Sequence, residues 1–309
     1  MKSIMYHYVQ QYNKEFKNLN ILLFKNFKKQ VSFFMSNFFF FDVKKIFNLK
    51  KISKKQIFLT FDDGLKCHYK VAEFLEKKKL NAIFFVSALN YKKKIILDVH
   101  KVHIILATQE PQHIIQKLQK LNILKYINKK KYKKFKKDIY KNQLDKSGYL
   151  NIKKILNFYL DKDRQHEAIS KIFYSFFSRE KEKKIFSKYY LSEKDLKKMI
   201  KMNMIIGGHS SSHRLLTMLN KKEIKKEIYT SKVFLKNLGI RKYIFSYPYG
   251  GKKSYNKTVI KFLKYYNFEF SFSVMAKNIS KLDIIRKFHL PRYNCNEFKY
   301  GKVNKHQYN

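Results

Sequence analysis

Short apolar runs alternate with amphipathic segments along most of the chain, and one apolar run ends in two adjacent carboxylates. Residues 57–61 read IFLTF and are followed at once by Asp62, Asp63 and Gly64. Apolar and β-branched residues before an acidic turn predict a buried strand that carries both acids at its carboxyl end. In α/β folds, functional groups gather outside the carboxyl ends of the strands. This stretch is therefore the first candidate site.

The segments around this strand predict repeated βα units. Some carry apolar residues at helical spacing, and others are short continuous apolar runs. The predicted strands cover residues 3–9, 57–61, 81–87, 204–207, 243–246 and 270–274. The predicted helices cover part of 24–41, which leads into a short strand, and 69–79, 192–202, 221–238 and 256–266. Strand, helix and strand at this spacing predict an α/β fold with a parallel sheet.

Residues 91–190 differ from the rest in composition, since they are rich in lysine and mostly helical in pattern. No turn-rich linker sets them apart. We therefore predict one domain over 1–309 with a helical insertion at 91–190. Near the start of the insertion, Asp98, His100 and His103 suit either a metal cluster or a helix that faces substrate or solvent.

The net charge is strongly positive. Lys and Arg number 69 against 22 Asp and Glu, which gives a formal charge of +47. A charge of this size is typical of proteins that bind nucleic acid or anionic membranes. The basic residues are mostly lysine and spread along the whole chain, whereas a phosphate-binding patch would concentrate them and favour arginine. We expect no nucleic-acid partner and keep peripheral contact with anionic membrane as an option.

The two cysteines and the amino terminus bear on location. Cys67 and Cys295 lie far apart and outside any metal-ligand spacing, so we expect free thiols in a reducing compartment. Residues 1–7 lack the long apolar region of a signal peptide. The most apolar window, 31–43, is too short to span a bilayer. A cytoplasmic location is expected, with the inner face of the membrane as an option.

Three clusters follow predicted strands and would meet at one face of a barrel: the acid pair at 62–63, the histidines His209 and His213, and the loop at 248–250. Two histidines four residues apart lie on one side of a helical turn, and one carboxylate completes a three-ligand metal site. The second carboxylate is then free to act as a general base. The cation would lower the pKa of water and polarise a carbonyl.

These clusters resemble the motifs of the polysaccharide deacetylase family, carbohydrate esterase family 4. TFDDG at 60–64 is similar to its first motif, HSSSH at 209–213 to its second and FSYPYG at 245–250 to its third. The resemblance covers about 1–90 and 190–295. It implies a distorted (β/α) barrel and a metal-dependent hydrolase that removes acetyl groups from N-acetylated, less often O-acetylated, sugars.

The resemblance also implies roles for individual residues. Asp63, His209 and His213 would bind a divalent metal, commonly zinc, and Asp62 would be the catalytic base. In the third motif, the backbone N–H of Tyr249 would stabilise an oxyanion. The sugar pocket would be lined by side chains of that motif, namely Tyr247, Pro248 and Tyr249.

The chain departs from the family pattern at two points. Many members have an arginine that orients the base where this chain has Ser246. We hypothesise that Arg292 replaces it, with Arg286 as the other candidate. The family's late motif often ends in a histidine that acts as general acid, and His289 is nearest here. His7, at the end of the first strand, is the competing acid or a substrate contact.

Two functions follow from these predictions. The first is a deacetylase that acts on an N-acetylated sugar of a polysaccharide, glycolipid or surface-glycan precursor, with the insertion over 91–190 capping the open face. The second is a catalytically inactive glycan-binding protein on the same fold. Every metal ligand is present, which favours the enzyme, and only the missing arginine leaves room for the second.

Overall fold

The computed structural model describes residues 1–49, 52–135 and 147–303. The chain forms two compact units. The first consists of Met1–Tyr12, Asn20–Lys94 and Ser187–Asn309, and the second of Asn13–Leu19 and Ile95–Phe186. Part of the predicted insertion, 136–146, lies outside the described residues. The assignment of all of 1–309 to one catalytic domain stays a prediction.

The first unit is built on a parallel sheet that curls into a distorted (β/α) barrel, as predicted. Its described strands are β1 Lys2–Tyr6, β2 Val9–Gln10, β3 Leu22–Leu23, β4 Phe39–Phe40, β5 Gln56–Phe61, β6 Ile83–Val86, β7 Ile205–Gly208, β8 Tyr243–Ser246, β9 Phe268–Phe272 and β10 Tyr293–Asn294. The main sheet runs β10-β1-β5-β6-β7-β8-β9, with β4 also paired to β5. All of its pairings are parallel, so the carboxyl ends of the strands share one face.

Both faces of the strands are buried, which explains their continuous apolar runs. Because side chains alternate across a strand, Phe58 packs with Phe85 and Phe272 in a core inside the barrel. Leu59 and Phe84 belong to the core between the strands and the helices around them. Register along each strand therefore decides which side chains reach the interior.

A segment near the end of the chain closes the barrel between β9 and β1. Leu290 forms a parallel bridge with Phe272 of β9, and β10 pairs with β1 a few residues later. Leu290 is buried in the inner core. By alternation, Arg292 points to the same side as Leu290, whereas His289 lies in the turn directly before Leu290.

The described α-helices are α1 Phe24–Asn37, α2 Cys67–Lys77, α3 Leu89–Lys93, α4 Asp98–Thr108, α5 Pro111–Lys120, α6 Lys129–Phe135, α7 Ser147–Lys154, α8 Lys162–Tyr174, α9 Arg179–Tyr189, α10 Glu193–Lys201, α11 Lys221–Asn237, α12 Lys257–Tyr265 and α13 Lys281–Arg286. The five predicted helices are confirmed, with bounds shifted by a few residues, and the described part of 91–190 is mostly helical. Ser192 caps α10 through a full capping box with Asp195. No described helix is long and apolar enough to cross a membrane.

Candidate active site

The strand tips bring three inward-facing polar residues together. Asp62 follows the inward positions of β5, Ser246 ends β8 in register with Phe272, and Arg292 follows Leu290 in the closing segment. All three are buried, Arg292 at 0% exposure. A buried guanidinium requires an anionic partner, because an isolated charge in the interior is costly.

That partner is Asp62. Nη1 of Arg292 donates to Oδ1 of Asp62 at 2.7 Å, and Nη2 donates to Oδ2 at 2.8 Å. Nη2 also donates to Oγ of Ser246 at 2.8 Å, and Oγ of Ser246 donates to Oδ2 of Asp62 at 3.2 Å. Burial raises the pKa of Asp62, but the Arg292 guanidinium and nearby histidines outweigh it, and the pKa falls to about 2. Asp62 is therefore ionised at neutral pH.

The neighbouring carboxylate, Asp63, faces the two histidines. Its Oδ1 lies 3.3 Å from Nε2 of His213 and 3.5 Å from Nε2 of His209. One potential ligand atom from each of these three buried residues lies within 4.8 Å of the others. Asp63 has a φ of +80°, so the chain leaves the strand conformation at this residue. The two acids consequently face different partners.

The donor set fits a metal ion. Nδ1–H of His209 donates to the carbonyl of Ser246 at 2.8 Å, which fixes the tautomer and leaves the Nε2 lone pair directed towards Asp63. Burial lowers the pKa of His209 to about 4, so the ring is neutral at pH 7, as a ligand must be. Two imidazoles and one carboxylate form a donor set used by catalytic zinc sites, which keep positions open for water and substrate.

The HSSSH segment is a loop, so the prediction of a helical turn is wrong. Ser210 and His213 have φ of +59° and +57°, in the left-handed region that an α-helix excludes. The backbone N–H of His213 donates to Oγ of Ser210 at 3.0 Å. Residues such as serine bond to nearby backbone in turns, and here that preference overrides helical spacing. The histidines still converge, through the loop.

One residue of this site was missed at the sequence level. Glu227 of α11 accepts hydrogen bonds from the backbone N–H groups of Ser211 and Ser212, at 2.9 and 2.8 Å. It stands in a helix whose sequence, KKEIKKEI, reads as a solvated charged face. Nothing in that pattern distinguishes Glu227 from Glu223, so no sequence signal could have found it.

Of the residues in the third motif, Tyr247 packs in the core and Tyr249 lies at the site. The ring of Tyr249 packs edge-on against that of His213, with centroids 5.2 Å apart. Tyr247 is only 1% exposed, and its hydroxyl donates to the carbonyl of Phe288 at 2.8 Å. Pro248 is also buried. The predicted substrate contacts of Tyr247 thus gain no support from its side chain, which packs in the core, whereas Tyr249 lies beside a metal ligand.

The predicted acids occupy different environments. The positive form of His7 contributes to lowering the pKa of Asp62, which places its ring near the base. Burial lowers the pKa of His289, and the charges that act on it are those of Asp283, Arg286 and Lys277. Neither carboxylate of the site is among them. His289 thus gains no support as general acid.

A pair of tyrosines near Asp63 was also not predicted. The hydroxyls of Tyr8 and Tyr189 lie 2.6 Å apart, within hydrogen-bonding distance. Burial raises the pKa of both, and the negative charge of Asp63 adds to the effect. Both hydroxyls therefore stay protonated at neutral pH close to the metal-binding carboxylate.

The acid and histidines at the start of the predicted insertion form no comparable site among the described residues. Asp98 pairs with His166 of α8, whose Nδ1 lies 2.9 Å from Oδ2. His100 is buried, and its ring contacts that of His103. The three-residue group at Asp63 is the cluster that satisfies metal-ligand distances in the part of the chain that the structure describes.

A family comparison confirms the resemblance. The model of the polysaccharide deacetylase family matches residues 166–271, a span that includes the second and third motifs. The first motif at 60–64 lies outside this match and joins the site through the contacts of Asp62 and Asp63. The family match over 166–271, together with the barrel, indicates a carbohydrate deacetylase, which is a hydrolase. No curated protein matches the sequence significantly.

Solved structures share the fold. The Streptococcus pyogenes deacetylase PplD, in complex with acetate, superposes with a TM-score of 0.57 at 15% identity over 95% of this chain and 91% of that one. BC0361, a polysaccharide deacetylase from Bacillus cereus, gives 0.55 at 15% identity over 95% of this chain and 64% of that one. IcaB from Ammonifex degensii gives 0.51 at 13% identity, with coverage of 95% and 90%.

Proposed function

We propose that this protein is a metal-dependent hydrolase that removes the acetyl group from an N-acetylated sugar of a polysaccharide, glycolipid or surface-glycan precursor. The observation that supports the proposal is that the adjacent carboxylates Asp62 and Asp63 have different partners. Asp63 lies with His209 and His213, and Asp62 is held by Arg292. A hydrolase of this class needs both a metal-ligand set and an unligated base side by side.

Asp63, His209 and His213 would hold the metal, with zinc as the expected ion. A bound zinc would supply Lewis acidity, which polarises the acetyl carbonyl and lowers the pKa of water. His209 contributes a preset lone pair, since its other nitrogen is committed to the carbonyl of Ser246. The side chains are buried, so little reorganisation is needed when the ion binds.

Asp62 would take the proton from the attacking water. Its carboxylate offers about four lone-pair positions, and Arg292 and Ser246 occupy three of them, which leaves room for one more donor. The bidentate contact fixes the direction of the carboxylate. It also lowers its basicity, so Arg292 orients the base at some cost in driving force for proton transfer.

The remaining roles go to groups around this pair. The backbone N–H of Tyr249 would donate to the developing oxyanion, and its ring would line the sugar pocket beside His213. His7 would protonate the departing amine, because it directly follows β1 and its positive form acts on Asp62. These assignments use groups at the carboxyl ends of the strands, where barrel enzymes place their chemistry.

Acetate release tests the proposal. Purified protein, stripped with a chelator and reloaded with zinc, is incubated with chitin oligomers, N-acetylglucosamine glycolipids and O-acetylated glycans. We expect acetate from at least one N-acetylated substrate with zinc and none after chelation. Sugar binding without acetate release from any member of the panel would instead identify a catalytically inactive glycan-binding protein.

The cellular location is part of the proposal. The excess of 47 positive charges would draw the protein to anionic lipid, and a cytoplasmic protein at the inner membrane face would meet lipid-linked sugars there. Co-sedimentation with anionic vesicles, lost at high salt, is expected. Equal binding to neutral vesicles would contradict this part without touching the chemistry.

A further inference from the structure

The carboxylate of Glu227 binds the middle of the loop that carries both histidines. Oε2 accepts from the backbone N–H groups of Ser211 and Ser212, at 2.9 and 2.8 Å, and the Ser212 hydroxyl donates to Oε1 at 2.5 Å. Successive N–H groups that converge on one oxygen form an anion-binding concavity. Glu227 is only 8% exposed, so these bonds are largely shielded from water.

Glu227 reaches the loop because α11 packs unusually close to β7. The helix starts at a capping box between Asn220 and Glu223, which fixes its first turn. One turn beyond Glu227, Ser231 lies so near the sheet that a Cβ at Gly208 would come within 2.4 Å of its Oγ. The absence of a side chain at Gly208, directly before His209, is what permits this approach.

The loop needs such support because its backbone is strained. Ser210 and His213 both occupy the left-handed region, at a cost of roughly 1–2 kcal/mol each. Strained residues persist only where their surroundings over-determine them. On one side, the N–H groups of Ala88 and Leu89 donate to the carbonyls of Ser210 and Ser211. On the other side, Glu227 supplies the acceptor.

We propose that Glu227 is a positioning residue for the metal site: its carboxylate holds the loop in the conformation that places Nε2 of His213 and His209 beside Asp63. The inference deepens the proposed function and rests on it for the presence of a metal. Without the carboxylate, two shielded N–H groups and a hydroxyl lose their acceptor, and the loop relaxes. Outer-shell partners of metal ligands typically govern affinity by about 10- to 100-fold.

Calorimetric titration of the full chain with zinc alone tests the proposal. The variants are Glu227→Ala, Glu227→Gln and the control Glu76→Gln, which removes the same charge from an exposed position of α2, on another helix. We expect Glu227→Ala to weaken zinc binding by about 10- to 100-fold. Glu227→Gln keeps one acceptor oxygen and should lose less, and Glu76→Gln should bind as wild type does.

Wild-type zinc affinity in folded Glu227→Ala would overturn the proposal. If that variant does not fold, as judged by circular dichroism and thermal unfolding, Glu227→Gln decides, and an unchanged dissociation constant overturns it. An equal loss in Glu76→Gln and Glu227→Gln also overturns it, because the effect would then come from the change in net charge and not from the contact with the loop. Zinc binding without acetate release in wild type contradicts the proposed function alone, since the affinity comparison still stands.

Discussion

Arg292 donates to both carboxylate oxygens of Asp62, at 2.7 and 2.8 Å, across 230 positions of sequence. The pair is buried where the closing segment of the barrel meets the tip of β5. Nη2 also binds Ser246, the position at which many family members carry their arginine. The guanidinium thus reaches the base from a different strand, and the contact expected of Arg292 is present.

The pair predicts that Arg292→Lys loses turnover and keeps the metal. Lysine retains the charge but cannot make the planar two-point contact, so Asp62 loses its fixed direction. We expect kcat to fall by about 10- to 100-fold, an order of magnitude typical of misplaced catalytic groups. Zinc affinity should stay within about twofold, since Arg292 contacts no predicted ligand side chain.

A control variant and a stability measurement accompany this prediction. Arg286→Lys, at an exposed position of α13, serves as the matched control and should behave as wild type. Removal of one partner of a buried pair costs about 3–5 kcal/mol, so unfolding is measured alongside turnover. Full wild-type turnover in folded Arg292→Lys or Arg292→Ala, together with loss in Asp62→Ala, would show that Arg292 does not orient the base.

The two candidate acids predict opposite results on substitution. His7→Ala should lower kcat by about 10²- to 10⁴-fold, the usual contribution of a general acid or base. His289→Ala should leave kcat within about twofold, because the charges that act on His289 are those of Asp283, Arg286 and Lys277 and not those of Asp62 or Asp63. Steady-state kinetics with matched zinc loading measures both. A large loss in His289→Ala with activity retained in His7→Ala would reverse the assignment.

His68 predicts a loss of stability in mild acid. It is fully buried, its Nε2–H donates to the carbonyl of His7 at 2.8 Å, and burial lowers its pKa to about 4. A histidine in the unfolded chain has a pKa of about 6.5. Below that pH the unfolded chain binds a proton at His68, whereas the folded protein keeps His68 neutral down to about pH 4. The free energy of unfolding should therefore fall between about pH 6.5 and 4, by about 3 kcal/mol from this residue.

His68→Gln tests this directly, because glutamine keeps a donor and does not titrate. Denaturant unfolding of metal-free protein at pH 7 and pH 4.5 should show a smaller acid penalty in the variant than in wild type. His113→Gln, at an exposed position of α5, is the control and should keep the wild-type penalty. An identical pH dependence in wild type and His68→Gln would contradict the argument.

Strand alternation explains how much of the site could be predicted. The strands could be predicted from apolar runs, and the motifs at their tips pointed to Asp62, Asp63, His209 and His213. Of these, Asp63, His209 and His213 converge, and Asp62 is bound by Arg292. The contact made by Arg292 could be predicted because Ser246 stands where many family members have the arginine that orients the base, so another arginine had to supply that contact.

Other features were beyond the sequence because they depend on tertiary contacts. Spacing alone suggested a helical turn at HSSSH, and the left-handed Ser210 and His213 exist only because neighbouring elements hold them. From the sequence, Glu227 is indistinguishable from the other charges of a solvated helix. Its contact with the loop depends on the close packing of α11 against the sheet at Gly208. Tyr247 read as a pocket residue, yet its ring packs in the core.

The central claim is that Asp62 acts as the catalytic base and Asp63 as a metal ligand. The most direct test measures zinc stoichiometry and acetate release in the same preparations of wild type, Asp62→Asn and Asp63→Asn. Asp62→Asn should bind one zinc per chain and release acetate at least about 100-fold more slowly. Asp63→Asn should lose both zinc and activity. Zinc retained in Asp63→Asn, or lost in Asp62→Asn with activity intact, would contradict the assignment of base and ligand.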